Sequence, residues 1–247
     1  MSEPGRAGYR VTASRRVFGG RVCAVRIDDV ELPGGHTGQR EVVEHDPAVA
    51  VLALDGPVPG ESGLDPAGLV AASSVVLIEQ YRHPMRRRLW ELPAGLMDVD
   101  GESPLVTARR ELTEETGLAA GSWSVLVDGA SSPGFTSEVV RIFLARDLHE
   151  AGRPEATGDE EAEITVVRIP LAEAVAAALD GRIVNVMAVA GILAAHAALL
   201  SGARLRPATD EPIDLIHAGD PVEEPGVPDA PALTGAVVWT VAPAGTG

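Results

Sequence analysis

Residues 91–118 read ELPAGLMDVDGESPLVTARRELTEETGL. Near its middle, Ser103 has the side chain of a helix N-cap, and Pro104 follows at the first helical position, where its missing N–H is harmless. Leu105, Ala108, Leu112 and Thr116 recur at spacings of three and four, which predicts a helix with one apolar face. Gly117 supplies the stop. Glu111 and Glu115 lie four apart and share a helix face, with Glu114 at its edge. Like charges this close repel unless a cation joins them. Carboxylates converging in this way make a hard-oxygen site of the kind that suits Mg²⁺ or Mn²⁺. Arg110, four before Glu114, is placed to orient it, and Glu102 lies just before the N-cap, within reach of the helix start or the acidic cluster.

Taken alone, E-x-x-E-E is what many solvated helix faces look like. The flanks change that reading. The segment resembles the Nudix box, G-x5-E-x7-R-E-U-x-E-E-x-G-U with U aliphatic. Gly95, Glu102, Arg110, Glu111, Leu112, Glu114, Glu115, Gly117 and Leu118 match it. One departure exists: six residues rather than five separate Gly95 from Glu102. The extra residue falls in the loop before the helix, where insertion is cheap. LWELPAG (89–95), QYRH (80–83), REVVEH (40–45) and SSPGF (131–135) further resemble the ADP-ribose pyrophosphatase branch, actinobacterial members above all, which carries a proline roughly fifteen residues past the box. Pro133 is fifteen beyond Leu118. The similarity covers about residues 8–203.

The resemblance implies roles. Glu111 and Glu115 would ligate metal, with Glu114 close by or sharing an ion, and the Ala94 carbonyl would add a backbone ligand. Glu115 and Arg110 would belong to the catalytic group, and Glu102 would stand behind the ligands. Two or more Mg²⁺ ions (Mn²⁺ as a substitute) would clamp the diphosphate and activate water. The general base would lie in the acidic run GDEEAE (158–163), with Glu161 the best match to the branch pattern and Glu160 and Asp159 as alternatives. Arg82 would face the phosphates. Arg40 and Glu44 would serve the adenine end, across a dimer interface. Leu96, Pro133, Gly134 and Phe135 would complete the substrate site. The expected reaction converts ADP-ribose and water to AMP and ribose 5-phosphate. The alternatives are another nucleoside-diphosphate sugar, a non-catalytic module that senses such ligands, and a hydrolase of oxidised nucleoside triphosphates.

Outside the box, residues 8–54 read as β-rich, with PGG (33–35) as a turn. Residues 55–72 are rich in Gly and Pro and read as a loop. Apolar runs at 74–83, 123–128, 139–145 and 163–170 predict strands, and 87–95 a short strand entering a turn. Helices are expected over 171–181 and 184–202, each ended by glycine. The fold class is therefore α+β, implied by the resemblance to be a Nudix αβα sandwich with a mixed sheet and an N-terminal antiparallel β extension. Three regions are expected: 1–47, β-rich and dimerising; 48–203, the catalytic domain; and 204–247, a Pro-, Ala- and acid-rich extension with little order of its own.

Of the 247 residues, 45% are hydrophobic but only 3% aromatic. A large core is available, and it must be built from Val, Leu, Ile and Ala. A net charge of −16 repels nucleic-acid backbones, whereas a small phosphorylated substrate can be approached through a metal. The single cysteine, Cys23, excludes an intramolecular disulfide and fits a reducing cytoplasm. The start of the chain lacks the apolar run of a signal peptide. The apolar stretch 183–200 is Ala-rich and interrupted by Asn185 and His196, so it reads as a buried helix rather than a membrane span.

Overall fold

The computed structural model describes residues 8–32, 34–99, 101–154, 163–209, 211 and 213. The N-terminal part forms an antiparallel sheet of β1 (Arg10–Gly19), β2 (Cys23–Glu31) and β3 (Thr37–His45), in that order. Gly34 and Gly35 have φ of 103° and 82° in the β2–β3 turn, a region that only glycine enters freely. Strand β1 is exposed along its whole length.

The second sheet holds the core. Its path is β10 (Thr165–Pro170), β5 (Ser74–Arg82), β4 (Ala48–Asp55), β9 (Val139–Glu150), β8 (Leu118–Ala130) and β11 (Arg206–Pro207). Strand β6 (Arg87–Glu91) pairs with β5, and β7 (Ala94–Leu96) with β4. Strands β4 and β9 run parallel, and the other pairs are antiparallel, so the sheet is mixed. AVAVLALD at β4 is apolar almost throughout because both faces are covered. Ala50, Leu52 and Leu54 face one core cluster with Leu171, Ala174, Ala188, Ile192 and Ala195, whereas Val49, Val51 and Ala53 face another with Leu105, Ala108 and Leu112.

Those helical residues belong to α2 (Pro104–Thr116), α3 (Leu171–Leu179) and α4 (Val186–Ser201). The result is an αβα sandwich with α2 on one face and α3 and α4 on the other. Helix α4 lies close to the sheet: a Cβ added at Gly191 would come within 2.8 Å of Leu92 Cδ1. Its small residues are what permit that approach. Among the described residues, no helix is long and apolar enough to cross a membrane.

One expectation needs correction. Residues 55–72 are not all loop, because α1 spans Pro66–Ala71. Asp65 caps it, accepting from Gly68 N at 2.7 Å, and Pro66 sits in the first turn. Six residues are too few to show a helical period, so only the capping pair announces this helix. The β-rich run 40–54 divides between β3 and β4. It breaks at Asp46–Pro47, where the chain passes from the N-terminal sheet to the core sheet.

One irregularity positions the site. Strands β4 and β5 pair only at Leu54↔Val75 and Asp55↔Ser74. They then diverge. Strand β7 takes the vacated edge of β4, with Ala48↔Leu96, Val49↔Gly95 and Ala50↔Ala94. The segment leading into α2 is thereby brought to the middle of the sheet.

Candidate active site

Helix α2 begins where the sequence places it. Ser103 Oγ accepts from Val106 N at 3.4 Å, and Gly117, at φ 72°, closes the C-terminal end with its N–H on Thr113 O. Leu105, Ala108 and Leu112 are buried against the sheet. With that face fixed, Glu111 and Glu115 must point toward β7. Gly95 shows how close they come: a Cβ there would overlap the Glu111 carboxylate. Glycine is needed at this box position for space, since its φ is not in the left-handed region.

Glu115 is 6% exposed, and its Oε2 accepts from Ala94 N at 2.9 Å. Burial pushes its carboxyl up to about 8. The Ala94 N–H and the Arg82 charge pull it down, and the neighbouring Glu111 and Glu91 push it further up. The site thus holds a carboxyl whose charge is undercompensated by the protein alone.

Arg110 is the cation that gathers the remaining acids. It donates to Glu102 (Nη2 to Oε2, 3.0 Å), to Glu111 Oε1 (2.6 Å) and to Glu114 Oε2 (3.0 Å). Bonding to Glu102, more than the adjacent charges, raises its own pKa, and the same bond holds the Glu102 carboxyl below its usual range. Glu102 also accepts from the buried Thr107 hydroxyl at 3.0 Å. Among the described residues, no three acidic or imidazole groups already converge as a closed coordination shell. The donor chemistry nevertheless fits a hard divalent cation: carboxylates from one helix, an undercompensated buried carboxyl among them, and a glycine cradle filled by Glu111.

Arg82 ends β5 and forks onto Glu91 of β6, with Nη2 to Oε2 at 2.7 Å and Nε to Oε1 at 3.0 Å. Glu91 is 3% exposed. This partner was missed from sequence; a lone carboxylate inside the apolar run LWELP is the signal that could have found it.

The loop with Pro133, Gly134 and Phe135 is exposed and joins the N-terminal sheet. Val43 N donates to Phe135 O at 2.7 Å, and Ser137 N to Val43 O at 3.1 Å. Val43 lies in β3 between Arg40 and Glu44, so these candidates share one neighbourhood. The Arg40 side chain is exposed and donates to Gln39 O. Glu44 is engaged within its own sheet by Arg26 (2.7 Å) and Arg16 (3.0 Å), and bonding to Arg26 lowers its pKa. Leu96 packs against the core cluster on the α4 side of the sheet, as Trp90 does. Glu161, Glu160 and Asp159 lie outside the described residues.

This arrangement of fold and helix is that of a recognised family. The family model described as the NUDIX domain matches residues 67–188, and the chain belongs to the Nudix family. A protein of Mycobacterium tuberculosis named ADP-ribose pyrophosphatase is 47% identical over 206 residues, 83% of this chain and 92% of that one. A Bacillus methanolicus protein named methanol dehydrogenase activator is 37% identical over 65% of this chain and 78% of its own. Among solved structures, a crystal structure of an ADP compounds hydrolase superposes with a TM-score of 0.65 at 22% identity, covering 81% of this chain and 98% of that one. That likeness is one of fold.

Proposed function

We infer that the chain hydrolyses the pyrophosphate bond of ADP-ribose to AMP and ribose 5-phosphate with Mg²⁺ as its metal. The observation that carries the chemistry is the buried Glu115 beside Glu111 under β7. The substrate rests on the 47% identity to a protein named for that activity, across nearly its whole length.

Glu111, Glu115 and the Ala94 carbonyl would hold the metal, with Glu114 beside them. A bound divalent cation supplies neutralisation of the diphosphate charge and a water of lowered pKa. Arg110 holds Glu111 and Glu114 in register, and Glu102 and Thr107 fix Arg110 in turn. Arg82, anchored on Glu91, is positioned to contribute positive charge to the phosphates. Glu161 is assigned as the base that takes the proton of the attacking water. The Pro133–Phe135 loop would shape the terminal-ribose pocket, and Arg40 and Glu44 of β3 would serve the adenine end. The N-terminal sheet pairs two copies of the chain, so that the adenine end is completed by a partner.

The test is product analysis with purified protein, ADP-ribose and Mg²⁺. AMP and ribose 5-phosphate in equal amounts are expected, with turnover lost in EDTA and restored by Mg²⁺. Turnover that persists in EDTA, or release of adenosine or free ribose, contradicts the proposal.

A further inference from the structure

A network outside the box involves the segment that follows α4. Arg141 of β9 is a charged side chain in the core, 6% exposed. It donates to Asp128 of β8 through Nε (2.9 Å to Oδ1) and Nη2 (3.3 Å to Oδ2), stapling the β8–β9 hairpin at the register pair Asp128↔Arg141. The other two partners come from beyond Ala203. Arg206 Nη1 donates to Asp128 Oδ2 at 2.9 Å, and Arg141 Nη1 donates to Glu211 O at 2.9 Å. These two arginines hold the Asp128 carboxyl below its ordinary range against the opposing effect of burial.

The described residues of this segment are attached at several points. Leu205 packs against the α4-side core, β11 adds Arg206 and Pro207 to the edge of β8, Ala208 packs against the α2-side core, and Ile213 is 6% exposed. It therefore crosses the edge of the sheet from one face to the other. The sequence predicts an extension with little order over 204–247 in which IDLIH (213–217) could dock; residues 204–209, Glu211 and Ile213 lie against the domain.

The place of the staple matters. Going up the hairpin from Asp128↔Arg141, only Gly129↔Val140 and Ala130↔Val139 intervene before the loop Ser131–Glu138. That loop carries Pro133, Gly134 and Phe135 and is bonded to β3 at Val43. We propose that residues 204–209, with Glu211 and Ile213, form a strap that clamps Arg141 and Asp128, and so positions the Ser131–Glu138 loop for substrate binding. Arg141, Asp128 and Arg206 are positioning residues. The proposal rests on the reading above that this loop contacts substrate. A buried guanidinium needs its partners; when Arg206 or the Glu211 carbonyl is removed, the staple loosens and the loop above it samples more positions. Box chemistry on α2 is not involved, so the effect falls on substrate affinity.

The experiment compares the full chain with R206A and with a chain ending at Ala203, using the substrate of highest turnover. R206A carries the test if the shorter chain does not fold, since Arg206 is largely exposed. The readouts are KM against kcat, Mn²⁺ affinity by electron paramagnetic resonance, and amide exchange at Val43 and Ser137, which bridge the loop and β3. Expected for R206A are a KM raised about 5-fold, a kcat and Mn²⁺ affinity within about 2-fold, and faster exchange at those amides. A lowered melting temperature with KM and both amides unchanged overturns the proposal, as does a fall in kcat at constant KM. Amide exchange and Mn²⁺ binding need no turnover, so absence of ADP-ribose hydrolysis leaves this test standing. Faster exchange at the two amides with unchanged KM would locate the failure in the loop's assignment to substrate and overturn the positioning role.

Discussion

At the scale of single residues, Glu115 ties stability to pH. Its carboxyl stays protonated up to about 8 in the metal-free fold, whereas in the unfolded chain it ionises near its ordinary 4.5. Between those values the folded state binds one proton more than the unfolded state. Stability must therefore fall as pH rises through that window. In EDTA, the melting temperature should decline from pH 5 to pH 8 more steeply for the wild-type chain than for Glu115→Gln, which lacks this group. Parallel declines would show that Glu115 ionises freely. Mg²⁺ should flatten the wild-type slope and leave that of Glu115→Gln unchanged. Gly95→Ala makes a second point. The added methyl meets the Glu111 carboxylate, so kcat should drop at least about 10-fold, roughly 1.4 kcal/mol of transition-state stabilisation. A Gly95→Ala protein with wild-type kcat would mean that Glu111 does not need its present position.

Among the elements, α2 was the most legible, because each of its determinants is local: the Ser103 cap, the Pro104 start, the apolar spacing and the Gly117 stop. Gly117→Ala forces a left-handed φ of 72° on a residue with a Cβ, which would also lie 3.2 Å from Arg153 N. A loss of about 1 kcal/mol is expected by denaturant titration; a loss under a few tenths would indicate that the helix end relaxes freely. Helix α1 was not legible, being shorter than two turns and held by its Asp65 cap and by core contacts of Leu69 and Val70. Strand β11 was equally hidden, since two residues carry no alternation, and the hydrogen bonds that make them a strand come from β8, some eighty residues earlier. In the candidate site, the residues on α2 could be read from sequence because helical spacing brings them together. Glu91 could not, because Arg82 reaches it by a side-chain bond between two strands of a hairpin and not as a register partner. Nor could Asp128 and Arg141, which meet across another hairpin.

For the whole molecule, the two sheets divide the labour. The core sheet, covered by helices on both faces, builds the carboxylate site. The N-terminal sheet, with β1 exposed throughout and Tyr9, Val11, Val17, Phe18 and Val22 among its open apolar residues, has too little cover of its own. The pairing of two copies proposed above would cover those residues. Light scattering should give twice the mass of the chain, and deletion of residues 1–20 should give a monomer of weakened activity. A wild-type monomer at micromolar concentration contradicts the pairing. The net charge of −16 makes this molecule repel polyphosphates at long range, so metal and Arg82 must act at contact distance, and Mg²⁺ is expected to be required for substrate binding as well as for turnover. The most direct measurement is a side-by-side set of kcat/KM values with Mg²⁺ on ADP-ribose, GDP-mannose and UDP-glucose. The account predicts ADP-ribose ahead by at least about 10-fold, a difference of roughly 1.4 kcal/mol in transition-state binding. Equal or greater kcat/KM on either of the other two sugars would contradict it.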